Sequence, residues 1–253
     1  MEKNKKYISK LYNEVNWRKT KGGKLYEKLI NSPTFFGKLY KKTFHAPVYA
    51  KIDKKILARF KLLKPDSIIL DIGGNIGSFD NPKIKKLLKK HKYIRLDIDP
   101  ETYPDIVGDA MAMQLKTSST DVVISKSVFE HLTEPWKSIK EIYRILKPNG
   151  LLYFYTPFFQ RIHASPNDYY RFTEEGLKYL LKEFKKVYIH SHGGYVSSFA
   201  NVVYLGTYAL DSLMGLGFII RIILWPIFFI LVKLDRFDKY RLNTPGYFGF
   251  AIK

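Results

Sequence analysis

Cysteine is absent from the 253 residues. That excludes a disulfide framework and any cysteine-ligated zinc site. Acidic residues are scarce against basic ones, 23 against 43, which leaves a formal net charge of +20. No low-complexity tract occurs, and with 46% hydrophobic and 16% aromatic residues the composition is that of a globular chain rather than a disordered one. The opening stretch MEKNKKYISKLYNEV lacks the apolar core of a signal peptide, so the expected compartment is the cytoplasm or the cytoplasmic face of the cell membrane. Neither a zinc finger nor an RNP sequence accompanies the basic charge. Lysines crowd residues 1–64 and the run KIKKLLKKHK at 83–92. They fit a solvated face or attraction to an anionic surface such as acidic lipid.

The length suits one α/β domain with a full core. Residues 1–64 read as basic and helical, broken near NSPTFFG (31–37) and HAP (45–47), and are expected to form a lid or anchor. From residue 67 the pattern changes. SIILDI (67–72), YIRLDID (93–99), DIVGDA (105–110), DVVISKS (121–127), LLYFYTPF (151–158), KKVYIHSH (185–192) and GYFGFAIK (246–253) are short runs of strand type. Helical stretches separate them. Pro82 suits a first turn capped by Asn81 or Asp80. TEPWKSIKEIYRILK (133–147) places Ile139, Ile142 and Leu146 on one face, with Thr133 expected as its cap and Asn149–Gly150 as its end. TEEGLKYLLKEF (173–184) is a further helix. Strands alternating with helices predict a parallel sheet covered on both faces.

After the first strand, DIGGNIG crowds Gly73, Gly74 and Gly77 into a turn where a ligand can approach the backbone. Asp97 ends the second strand, where a ribose-binding acid belongs in a nucleotide fold, and Asp109 follows the third. The motifs LDIGGNIG, IRLDIDP, GDAMAMQL, DVVISKSVFEHL and EIYRILKPNGLLYFYTP follow one another over roughly residues 65–190. In order and spacing they resemble the class I S-adenosylmethionine (SAM)-dependent methyltransferases of the small-molecule, type 11-like kind. The resemblance implies a Rossmann-like seven-stranded sheet, mostly parallel, with an antiparallel last strand supplied by GYFGFAIK. It also implies that Asp71 orients the methionine end of SAM through water or loop amides, and that Gly73, Gly74 and Gly77 shape the loop. Asp97 would accept the ribose hydroxyls, Asp109 and Ala110 would meet adenine, and Ser125 would lie beside the cofactor. Asn75 departs from the family, standing where glycine is usual; Asn tolerates positive φ better than most residues. A nicotinamide-binding fold is the rival reading of the loop, but it leaves FEHL and LKPNG without a role.

Methyl transfer asks the protein to align an acceptor and, for a hydroxyl, to take its proton. His131 of FEHL follows the fourth strand. TPFFQRIHASPNDYYRFTEEGL (156–177) leaves the fifth and gathers His163, Asp168, Tyr169, Tyr170 and Arg171. It is similar to a stretch of methyltransferases associated with surface-glycan synthesis. His163, Asp168 or His131 would act as base, and Tyr169, Tyr170 and Arg171 would hold the acceptor. The alternative is that Asp168 and Arg171 pair to stiffen the loop while Thr173 caps the next helix. No metal ligand is assigned. SKSV (125–128) replaces the [DNS]-P-P-[YF] sequence of amine methylators, which makes a nucleic-acid base an unexpected acceptor.

Residues 195–241 form an apolar insertion within a methyltransferase domain of 65–194 and 242–253. Its part 215–232 carries one charge, Arg221, and includes Pro226 and Trp225. If 246–253 rejoins the sheet, a single membrane crossing is impossible. A helical hairpin with DSLMGLG (211–217) as its turn is expected, in one leaflet or the interface. The expected function is O-methylation of a sugar, glycan or lipid-linked acceptor at the membrane surface. The alternatives are a soluble small-molecule methyltransferase dimerising through the hairpin, and a non-catalytic SAM-fold assembly partner.

Overall fold

In the computed structural model, residues 47–74, 78–79, 81–163, 167–210 and 216–253 are described. The expected breaks at 31–37 and 45–46, the turn 211–215, Asp80 and most of the N-terminal basic region lie outside them. Apolar runs bounded by turn residues form the strands. These are β1 (Ile68–Ile72), β2 (Lys92–Asp97), β3 (Ile106–Val107), β4 (Thr120–Lys126), β5 (Leu146–Pro157), β6 (Lys186–Ser191) and β7 (Gly246–Ile252). They make one sheet in the order β3-β2-β1-β4-β5-β7-β6. Six strands run in one direction, and β7 alone is reversed, lying antiparallel between β5 and β6. This is the expected Rossmann-like arrangement, last strand included.

Side chains alternate across the sheet. One face aligns Leu70, Val123, Leu152 and Ala251 across four strands. It is covered by helix α3 (Pro135–Ile145), through Ile139, Ile142 and Ile145, and by α4 (Glu174–Leu180) with Leu177. The other face receives helix α1 (Pro47–Phe60), whose Ile56 and Phe60 are buried. Burying each such side chain contributes about 1.5–3 kcal/mol. A chain of rings, Phe60, Phe79, Tyr153 and Phe250, continues inward with centroids 5.5–6.1 Å apart. Arg59 lies over Tyr188 and Phe250. Helix α2 (Pro82–Leu88) begins as expected, with Pro82 in its first turn and Asn81 accepting from the Lys83 amide at 2.9 Å.

Two local expectations need correction. Thr133 does not cap α3; Glu134 holds that position and makes no side-chain capping bond. Nor does Asn149–Gly150 end that helix. Helix α3 stops at Ile145, because Leu146 already pairs with Thr120 as the start of β5. Asn149 is nonetheless in the left-handed region, at φ 62°.

The chain divides into two units. The sheet unit comprises Lys51–His192 and Thr244–Lys253. In the second unit the described residues are 47–50, Gly193–Leu210 and Leu216–Asn243. It contains helices α5 (Tyr195–Gly206) and α6 (Leu216–Leu231), with Pro226 inside α6. No helix among the described residues is long and apolar enough to cross a membrane. Of Arg221 and Trp225 only the helical backbone is described. Asp235 ties the ends of this insertion together. Its buried carboxylate accepts from the amides of Gly194 (2.9 Å) and Val196 (2.9 Å), and from the amide and hydroxyl of Ser197. Asp238 adds a bond from the Tyr195 amide at 2.9 Å. Together they cap the N-terminus of α5 from about forty residues away, satisfying amides that the helix itself leaves unpaired.

Candidate active site

Strand order reverses at β1, which lies between β2 and β4. In open α/β sheets the crevice at such a point, beyond the carboxyl ends of the strands, binds ligands. The first residues beyond β1 are Gly73 and Gly74. Gly73 has φ +67°, and its amide donates to the Leu96 carbonyl at 2.8 Å. A Cβ there would meet Val128 at 2.6 Å. At Gly74 a Cβ would meet the Asp71 carboxyl carbon at 2.6 Å. Only glycine lets the turn lie down on that carboxylate.

Asp71 itself is fully buried under the turn. It accepts from the Ser78 amide (3.0 Å), the Ser78 hydroxyl (2.6 Å) and the Tyr93 hydroxyl. Burial raises its pKa against the opposing pull of Ser78, Tyr93 and Lys126. The same burial, with Asp71 beside it, raises that of Tyr93. Lys126 completes the closure by donating to the Ser78 carbonyl at 2.8 Å. Asp71 thus anchors the far end of the glycine loop at Ser78 and lies beneath its near end at Gly74. Asn75 and Gly77, expected within that loop, lie outside the described residues.

Asp97 closes β2 half-buried, one oxygen accepting from the Asp99 amide at 3.0 Å. Beyond β3, Asp109 accepts from the Met111 amide at 2.8 Å, and Ala110 is buried beside it. Ser125, in β4, is fully buried, and its hydroxyl has no hydrogen-bond partner among the described residues. Glycines without room for a Cβ, a buried orphan hydroxyl and a half-buried carboxylate at the second strand end fit a nucleoside cofactor such as SAM.

After β4, a 3-10 turn (Phe129–His131) carries Glu130 and His131. The loop after β5 returns to this turn, because the Tyr169 amide donates to the Glu130 carbonyl at 2.7 Å. It brings His163 against His131, ring centroids 5.0 Å apart and nearly perpendicular. Glu130 is fully buried, and neither carboxylate oxygen makes a hydrogen bond among the described residues. Its Oε1 lies 3.6 Å from His163 Nε2 and 3.8 Å from His131 Nε2. These distances exceed a hydrogen bond, yet the carboxylate is near enough to raise the His163 pKa. Glu130 escaped the sequence reading, in which FEHL supplied only its histidine.

Asp168 and Arg171 form a forked ion pair, with Nη2 to Oδ2 at 2.7 Å. Asp168 also accepts from the His163 amide at 2.9 Å. Burial would raise its pKa, but Arg171 and that amide hold it down to about 2. Arg171 donates further to the carbonyls of Tyr170 and Arg161. Tyr170 is tied through its hydroxyl to the Thr133 carbonyl (2.9 Å), whereas Tyr169 is exposed. Thr173 caps α4 by accepting from the Gly176 amide at 3.0 Å.

The sheet order, with glycines and carboxylates at the strand ends, is that of a class I methyltransferase fold. Residues 70–154 match the Methyltransf_11 family, described as a methyltransferase domain, so the chain carries a class I SAM-dependent methyltransferase domain. An uncharacterized methyltransferase-like protein of Schizosaccharomyces pombe is 36% identical over 100 residues, 36% of this chain and 38% of that protein. A thiol S-methyltransferase of Rattus norvegicus is 36% identical over 75 residues, 30% of each. The aligned part therefore spans only about a third of the length of these curated relatives. Among solved structures, the phosphoethanolamine N-methyltransferase 2 of Haemonchus contortus, crystallised with SAM, is similar in fold. It has a TM-score of 0.53 at 18% identity, covering 93% of this chain and 58% of that one. A SAM-dependent methyltransferase of Archaeoglobus fulgidus gives 0.51 at 17%, covering 87% of this chain and all of that one.

Proposed function

We propose that the protein uses SAM to methylate an oxygen of a sugar, glycan or lipid-linked acceptor at a membrane surface. The observation that carries the methyl-transfer part is the Gly73–Gly74 turn seated on the buried Asp71 carboxylate at the reversal of strand order. In this reading Asp71 holds the loop, Asp97 accepts the ribose hydroxyls, Asp109 and Ala110 border the adenine and Ser125 lies beside the cofactor. SAM, bound there, supplies an electrophilic methyl group. The acceptor side belongs to Glu130, His131 and His163, whose facing atoms lie free of hydrogen bonds among the described residues. Asp168 is not the base in this reading: it is ionised throughout the neutral range and committed to Arg171, so the pair braces the loop that carries His163.

The membrane part is supported by exposed apolar side chains along α6 and beyond it, Ile223, Ile227, Ile230, Leu234 and Phe237, next to a strongly basic composition. The same exposure supports a soluble enzyme that dimerises through this face. Sedimentation with anionic lipid vesicles separates the two: a dimer that ignores vesicles favours the soluble reading. Calorimetry with SAM tests the cofactor site. Binding is expected, and Gly74→Ala should weaken it at least about tenfold, on the order of 1.4 kcal/mol, because its Cβ displaces Asp71. Folded protein that ignores SAM defeats the proposal. The acceptor is sought as a methyl-sized mass difference in lipid and glycan extracts with and without the gene, with a small thiol assayed beside them.

A further inference from the structure

Glu130, His131 and His163 come from two separate loops, yet their facing ligand atoms all lie within 4.8 Å of one another. Each imidazole is held from its far side. His131 Nδ1 lies 2.5 Å from the Asn167 carbonyl oxygen, an acceptor that requires the proton on Nδ1 and leaves a lone pair on Nε2. His163 Nδ1 faces the Arg161 carbonyl at 3.3 Å and the Asp168 carboxylate at 3.4 Å. Both Nε2 atoms then aim at one oxygen of Glu130, and neither closes to hydrogen-bond distance. A buried carboxylate left without hydrogen bonds is costly. Two imidazoles turned toward it, each braced through the other nitrogen by a carbonyl or carboxylate, is the arrangement that orients metal-ligating histidines.

We propose that Glu130 Oε1, His131 Nε2 and His163 Nε2 bind a divalent first-row transition ion, zinc foremost. Two nitrogens and one oxygen suit such an ion, whereas magnesium and calcium favour all-oxygen surroundings. Three protein ligands leave a further coordination position, as catalytic zinc sites do. An acceptor hydroxyl or thiol bound there loses its proton more readily, because the ion lowers its pKa. This catalytic use rests on the methyl-transfer reading; the binding of the ion does not.

The test uses the full chain, stripped with a chelator, loaded with zinc, desalted and measured by elemental mass spectrometry. Retention of about one zinc per chain is expected, with magnesium failing to compete. Cobalt in its place should give visible d–d absorption. Glu130→Gln and His163→Ala should each weaken retention at least about tenfold, while thermal melts report whether each variant is folded. Wild-type protein that retains no zinc overturns the proposal, and so does retention unchanged in both folded variants. SAM calorimetry on the same samples keeps the two readings apart. Zinc held without SAM binding sinks only methyl transfer, and SAM bound without zinc sinks only the metal site.

Discussion

The sheet unit and the apolar helical unit hold themselves together by opposite means. In the first, large side chains meet inside: Tyr153, Phe60, Phe129 and Phe154 are among its fully buried residues. In the second, large apolar side chains such as Phe199, Ile223 and Ile230 are exposed, and a buried carboxylate, Asp235, gathers several amides. A unit with an interior fails when volume is changed. A unit whose apolar surface faces out fails when its polar clasp is cut.

Of the substitutions, cutting the clasp should have the largest effect. Asp235→Ala strands the amides of Gly194, Val196 and Ser197, at a cost of about 3 kcal/mol; faster hydrogen exchange confined to the second unit is the expected readout. In the sheet, Gly249→Ala should cost about 2–3 kcal/mol. Its Cβ would collide with the Tyr188 carbonyl and meet the Phe154 ring, and the midpoint of denaturant unfolding measures the loss. Acid acts on the same unit by degrees. Burial pushes the His192 imidazole down to about 3. The unfolded chain therefore takes up a proton near pH 6.5 that the folded chain refuses. Stability should fall as pH drops from about 6.5 toward 3, by up to about 1.4 kcal/mol per pH unit. His192→Gln should flatten that slope. Smallest of all, Ile227→Ser with Ile230→Ser should alter stability by about 0.5 kcal/mol or less. The same pair should abolish vesicle binding if the exposed face meets lipid; a double variant that is strongly destabilised would show that this face is packed after all.

How much was legible follows the same divide. Strands such as 67–72 and 121–127 announce themselves because both faces of a parallel strand are buried and the run is uniformly apolar. Asn81 and Thr173 were readable as caps, since a cap bonds two or three residues onward. Asp235 was not, because it caps a helix some forty residues upstream and no local pattern records that. Glu130 was hidden for another reason. Its burial, and its want of a hydrogen bond, come from a loop after the next strand folding back over it. Asp168 and Arg171 could be read as chemistry or as a brace; the forked geometry favours the brace.

The clasp at Asp235 also bears on how such a chain is assembled and remade. The helical segment closes on itself at Gly194, while the sheet closes its own side through the His192 amide on the Gly246 carbonyl, at 2.8 Å. Two neighbouring antiparallel strands are thereby joined through a detachable cassette rather than a loose loop of about fifty residues, whose closure would otherwise weigh on β6–β7 pairing. A module with adjoining ends can be lengthened, exchanged or excised without shifting strand register. The helical module and the chemistry at the strand ends are then separate inheritances, free to change at different speeds.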